Sequence, residues 1–247
     1  MSKTKKEKNK LSEEKQAIIG LLEKVQKGGV QPTEVHEIWE KMIGYRDQYV
    51  KRHNEQSWHT FIGHIFEKLI YSVLKAYISE FAKKKEFKNL TLLSDSELKR
   101  NDVLVKKLAI RYGDDQLLLP DTDMVIADYN FSDPWKSEIV GIISCKTSLR
   151  ERIAQACYWK LKLLSSDTTK NVRVFLATTD NDEDFALKQN RQYGGKSRNR
   201  IIAEYELDGI YILRGDFKHE WESNKVKQYE QIFDDLVKIF KKLRVRK

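Results

Sequence analysis

"GIISCKTSLRERIAQACYWKLKLL", residues 141–164, changes character in its middle. Its first part is an apolar run of the kind that fills a buried strand. From Ser148 onward apolar and charged residues recur at the spacing of an amphipathic helix. A strand that runs straight into a helix is a building unit of mixed α/β sheets, so this stretch decides the fold class. At the junction stand Lys146 and then Arg150-Glu151-Arg152. A lysine that ends an apolar strand, with two arginines close behind, asks for a chemical reason.

Just upstream, "DMVIAD" (123–128) and the full run "EIVGIISCK" (138–146) both have strand character, and "YNFSDPWKS" between them is turn-like. The three together predict an antiparallel hairpin. In such a hairpin the start of one strand lies beside the end of its partner. Asp123 directly precedes the first apolar run and Lys146 closes the second, so the two are expected as neighbours at one sheet edge. A carboxylate there can hold a divalent cation. A lysine beside it can orient a water, deprotonate it when the amine is neutral, or as the ammonium stabilise the charge developing on a phosphate. The same pair could equally be an ordinary salt bridge at a strand end.

Further out, "VRVFLATT" (172–179) and "GIYIL" (209–213) read as buried strands, and "NKVKQYEQIFDDLVKIFKKLRVRK" (224–247) as an amphipathic helix with a basic tail. "DVLVKKLAI" (102–110) reads as a strand from its β-branched residues. Before residue 88 the pattern is helical. Helices are expected from about 11 to 27, after an N-cap at Thr33, and from a cap at Ser57, with Phe61, Ile65, Leu69, Val73 and Tyr77 in one stripe. Ser148 is the expected cap of the helix after the junction. The fold expected is α/β, a mixed β-sheet flanked by helices with an N-terminal helical region. Its division is residues 1–56, helical after a basic disordered start, and a domain over 57–247.

The chain has 247 residues and a formal net charge of +9. A basic surface favours a polyanionic partner. Two cysteines, Cys145 and Cys157, are too few for a secreted disulfide scaffold, which points to reduced thiols in a cytosol. The first residues, "MSKTKKEKNKLSEEKQ", lack the apolar core of a signal peptide, and no apolar run nears the ~18 residues of a membrane span. The five histidines show no zinc-ligand spacing, and there is no phosphate-cradling loop of the P-loop type.

Pro120-Asp121, Asp123 and Ser144-Cys145-Lys146, in that order, resemble the PD-(D/E)xK nuclease core. Ser144-Cys145-Lys146-Thr147 followed by Arg150-Glu151-Arg152 and Gln155 looks like type II restriction endonucleases that read CCGG-like or CC/GG-flanked sites. In those enzymes a serine replaces the acidic residue before xK, and an R-(D/E)-R element opens the next helix. The resemblance is sharp over residues 118–160. It is looser over "SWHTFIGHIFEKLI" (57–70), which is similar to the family's first core helix with its inward glutamate, here Glu67.

The resemblance implies a type II restriction endonuclease that cuts double-stranded DNA with Mg2+, leaves a 5′-phosphate and acts as a homodimer on a twofold site. It implies Asp123, Lys146 and Glu67 as catalytic residues, with Asp123, Glu67 and the carbonyl of Cys145 on the metal. Asp121 is a second candidate for the aspartate. Relatives with the serine recover a carboxylate about thirteen residues past the lysine, where this chain has Trp159, so Glu67 or Gln155 must make good the loss. Arg150 and Arg152 can each fork onto guanine O6 and N7, and Glu151 can accept from cytosine N4. "KQNRQYGGKSRNR" (188–200) is a second candidate DNA contact, through Arg191, Lys196, Arg198 and Arg200. Two rival readings are a sequence-indifferent or repair-type nuclease of this core and a non-catalytic DNA-binding protein.

Overall fold

The computed structural model describes residues 12–28, 30–149 and 152–245. Helices α1 (Glu13–Gly28), α2 (Val35–Ile43) and α3 (Arg46–Arg52) lead into the long helix α4 (Glu55–Ala82). Strand β1 (Leu90–Ser94) and two short helices, α5 (Asp95–Leu98) and α6 (Asp102–Leu108), follow. A small antiparallel hairpin, β2 (Ile110–Tyr112) and β3 (Gln116–Leu118), stands apart from the main sheet. The rest alternates: β4 (Met124–Asp128), β5 (Glu138–Lys146), α7 (Arg152–Leu164), β6 (Arg173–Thr178), α8 (Arg198–Glu206), β7 (Gly209–Ile212), β8 (Val226–Gln228) and α9 (Gln231–Val245).

The main sheet has the order β1-β4-β5-β6-β7-β8. The β1, β4 and β5 pairings are antiparallel, and those from β5 through β8 are parallel. It is the mixed sheet expected, with the 123–146 hairpin next to its β1 edge. Its strands are apolar on both sides because both faces are covered. Met124, Ile126, Ile143, Cys145, Phe175, Ala177 and Tyr211 join one core with α1 to α4 and α9. Val125, Ala127, Ile142, Val174, Leu176, Ile210 and Ile212 join a second core with α6, α7 and α8. The two-residue alternation of the strands thus sorts their side chains between two layers. Each fully buried aliphatic side chain stabilises by about 1.5–3 kcal/mol.

Several local expectations are corrected. Asn54, not Ser57, caps α4: its side chain accepts from the Ser57 amide at 2.7 Å. The buried side of α4 is wider than one stripe and includes Trp58, Ile62, Phe66, Ile70 and Leu74, because the helix lies between the sheet and α1 to α3. Thr33 sits inside a 3₁₀ turn, Pro32–Glu34, whose Glu34 carboxylate takes the Gln31 amide at 2.9 Å. Residues 102–108 form a helix rather than a strand. The Asn101 side chain caps it at the Leu104 amide, and Leu104 and Leu108 are buried four apart. The final helix begins at Gln231, and Val226–Gln228 is an edge strand on β7.

The expected division after residue 56 falls in the first turn of α4, and Ile18, Trp39 and Tyr49 before it share one core with Phe175 and Phe240. Among the described residues no helix is long and apolar enough to cross a membrane.

Candidate active site

Strands β5, β6 and β7 run in parallel and end at one edge of the sheet, where antiparallel β4 begins. Asp123 stands just before β4. Its amide donates to the Ile143 carbonyl at 3.2 Å, and its carbonyl accepts from the Asp95 amide at 3.2 Å, so its backbone is held from both sides. Its Oδ2 accepts from the Cys145 amide at 2.6 Å, the Lys146 ammonium at 3.0 Å and the Ser144 hydroxyl at 3.5 Å. The Asp123 and Lys146 side chains are only 16% and 13% exposed, so their attraction is screened far less than that of an open surface pair.

Glu67 faces this pair from α4. Burial pushes its carboxyl above the usual carboxylate range, and the neighbouring charge of Asp123 adds to the push. His64 and Lys146 pull the other way, and Asp95 adds a further small rise. The structure therefore brings Glu67, Asp123 and Lys146 within electrostatic reach of one another. Two carboxylates that repel are a donor set short of positive charge, which fits a hard divalent cation that takes one or two carboxylates and keeps several waters. Burial, and then Asp123, push the Cys145 thiol well above its ordinary value, so it stays neutral. Only the backbone carbonyl of that residue suits such a cation. Among the described residues no three His, Cys, Asp or Glu side chains form a ready metal cage.

The two candidate aspartates diverge. Asp121 is exposed and accepts from the Gln155 amide at 2.8 Å, which ties the entry of β4 to α7. Gln155 is thus turned to Asp121. Trp159 is half-buried against the second core. Arg150 and Glu151 lie outside the described residues. Arg152 opens α7, exposed, with its amide on the Leu149 carbonyl at 2.6 Å.

Ser148 is not the cap of α7, since Leu149 after it is not yet helical. Its hydroxyl donates instead to Asp182 at 2.7 Å, and the Leu149 amide joins the same oxygen at 2.8 Å. Asp182 was not among the expected site residues. It lies beyond the next strand, so no local pattern announces it.

The basic loop is mostly turned inward. Arg200, expected on DNA, is 1% exposed and bonds Glu204 at 3.1 Å, the Trp221 carbonyl at 2.6 Å and the Phe185 carbonyl. It is a structural cation. Arg191 donates to the carbonyls of Ala186 and Glu183 at 2.7 and 2.9 Å, and Lys196 pairs with Glu204. These two are likewise held by the protein's own acceptors. Arg198, at the start of α8, is exposed.

A family model described as "BsaWI restriction endonuclease type 2" matches residues 94–235. The chain is 40% identical over 204 residues to the putative type II restriction enzyme MjaVIP of Methanocaldococcus jannaschii, a match that covers 80% of this chain and 83% of the relative. It is 30% identical over 133 residues to the probable type II restriction enzyme HpyAORF263P of Helicobacter pylori, with 51% of this chain and 62% of the relative covered. Among solved structures it is similar to the Type IIP restriction endonuclease Kpn2I, with a TM-score of 0.49 and 16% identity over 92% of this chain and 72% of that one.

Proposed function

This chain belongs to the BsaWI family of type II restriction endonucleases, and from that premise we propose that its β4–β5 edge hydrolyses double-stranded DNA at a specific, C·G-containing site with Mg2+. The observation that carries the reading is the single oxygen, Asp123 Oδ2, shared by the Cys145 amide and the Lys146 ammonium, with Glu67 alongside.

Asp123, Glu67 and the Cys145 carbonyl would hold the cation. Bound there, Mg2+ would supply positive charge beside the phosphate oxygens and make a neighbouring water easier to deprotonate. Lys146 either takes a proton from the attacking water as the neutral amine or, as the ammonium, orients that water and stabilises the charge that develops on the phosphate. The rigid strand holds the lysine in place, so little reorganisation is left for the reaction itself. Water attacks the phosphorus and the P–O3′ bond breaks, leaving a 5′-phosphate on one fragment and, once the departing oxygen is protonated, a 3′-hydroxyl on the other. Arg152 opens α7, and Arg150 and Glu151 directly precede it in the sequence. Their chemistry matches adjacent C·G pairs, with guanidinium forks for guanine and a carboxylate for cytosine. Arg198 meets phosphate. A twofold site is cut on both strands by a homodimer.

Digestion of a mixed-sequence plasmid with Mg2+ tests the reading. Discrete fragments are expected. A smear means a sequence-indifferent nuclease, and an intact plasmid means a DNA-binding protein without catalysis. Arg150→Ala and Arg152→Ala should each cost about 1–3 kcal/mol of discrimination at C·G pairs. Competition between the site and singly substituted duplexes measures this. Equal losses on every duplex would make the two arginines electrostatic anchors.

A further inference from the structure

We propose that Asp182 is a positioning residue: it holds Ser148 and Leu149, which follow Lys146, and so sets the reading end of α7 at Arg152 against the catalytic edge. The proposal rests on the reading of that edge and of Arg152 given above.

The chain leaves β5 after Lys146 and is irregular over Thr147, Ser148 and Leu149. A free link between β5 and α7 would let the helix shift relative to the lysine. Here Thr147, Ser148 and Leu149, the described residues of the link, are each tied to the loop that follows β6. The Thr147 carbonyl accepts from the Thr179 hydroxyl at 3.1 Å and the Asn181 amide at 3.4 Å. The Ser148 hydroxyl and the Leu149 amide both donate to Asp182 Oδ2, at 2.7 and 2.8 Å. The Leu149 side chain is wholly buried, and its carbonyl accepts from the amides of Arg152 and Ile153 at 2.6 and 3.3 Å. One residue, Leu149, therefore stands between the Asp182 carboxylate and the backbone of Arg152. A carboxylate at a helix start also meets the positive end of the helix dipole.

The loop that delivers Asp182 is itself braced. Asp180 beside it is fully buried, and its carboxylate accepts from the amides of Asp184 and Phe185, the closest at 2.7 Å. Arg214, just past β7, donates to the Asp180 carbonyl at 3.1 Å and to the Glu183 carboxylate at 3.2 Å. Asp180 and Glu183 adopt positive φ, 52° and 53°, a conformation kept only where the surroundings over-determine it. A cap within the 147–151 segment would fix the helix start alone. An acceptor from the neighbouring strand's loop fixes it relative to the sheet edge that carries Lys146.

The test compares the wild-type protein, Asp182→Ala and Asp182→Asn. The substrates are a duplex bearing the site that the wild type cuts and duplexes with single C·G substitutions. D182A should cleave the site about 10²-fold more slowly, the scale set by a misplacement near 1 Å. Its preference over substituted duplexes should fall at least about tenfold, while affinity for site-free DNA is unchanged, since that rests on phosphate attraction. D182N keeps an acceptor oxygen and should recover part of both losses.

Hydrogen exchange at the Leu149 amide, measured without DNA, should accelerate at least about tenfold in D182A, as for loss of a charge-assisted bond. Wild-type rate and preference in D182A overturn the proposal. So does an equal loss on all duplexes with a lowered Tm, which marks a purely structural group. Unchanged Leu149 exchange overturns it too. A wild-type digest without discrete fragments sinks the reading of the edge instead, and the exchange rate still decides whether Asp182 holds Leu149.

Discussion

Asp123 Oδ2 is the most contested atom of the site, with three donors directed at it. Asp123→Ala leaves the Lys146 ammonium, 13% exposed, without its partner and removes a ligand of the proposed cation site. Asp123→Ala and Lys146→Ala should each slow cleavage at least about 10²-fold, as removal of one preorganised electrostatic group does. Binding of the site-bearing duplex should persist. Asp121→Ala loses only the bond to Gln155 and should be milder. A dead Asp121→Ala beside an active Asp123→Ala would move the catalytic aspartate two residues upstream.

Glu67 gives a stability prediction with a definite sign. Its folded pKa is raised, by burial first and by Asp123 second. Such a group's contribution is complete below its unfolded pKa and is lost as pH rises through the folded one. Glu67→Gln should thus melt higher than wild type at neutral pH in a chelator. The gap should close as pH falls below the ordinary glutamate value of about 4.3. Mg2+ should raise the wild-type Tm more than the variant's, and the variant should need more Mg2+ to cut. Melts that coincide across the whole pH range would show that Glu67's ionisation carries no cost.

At the scale of elements, the difference between what could and could not be read is one of range. The β4–β5 hairpin is legible because its two apolar runs and the Asn-Phe-Ser-Asp-Pro turn between them are all local. That placed Asp123 beside Lys146. Helix α6 was misread because Val103 and Val105 look like strand residues, whereas the cap from Asn101 and the 104/108 spacing decide the outcome. Strand β8 has three residues and leans on β7, so it hides at the head of a helical pattern.

Arg200 shows the same limit within the site. In the string "KSRNR" it is one more cation, yet α8 turns it into the core toward Phe185 and Trp221. Arg200→Ala would strand two carbonyls and strip Glu204 of one partner. It should cost about 3 kcal/mol or more, which lowers Tm by roughly 10 °C in a chain of this size. A variant that melts like the wild type but binds DNA weakly would restore Arg200 to the interface.

For the whole molecule, the net charge of +9 fixes the sign of the attraction to DNA but not where it acts. Internal pairing narrows the choice. Arg191, Lys196 and Arg200 are spent on the protein's own carbonyls and carboxylates, and a cation held that way releases little salt from DNA. Arg198 is exposed at the start of α8, whose chain returns from the edge where β6 ends. It therefore lies on the side of the molecule that carries Lys146. If it neutralises one phosphate, Arg198→Ala should weaken binding to all sequences alike and flatten the plot of log affinity against log salt by about 0.9. Lys196→Ala, on the same loop, should leave the slope unchanged, because its ammonium is already committed to Glu204. Titrations at several salt concentrations, on duplexes with and without the site, separate the two. A flatter slope for Lys196→Ala with none for Arg198→Ala would mean that the loop reopens on DNA and exchanges its internal partners for phosphate.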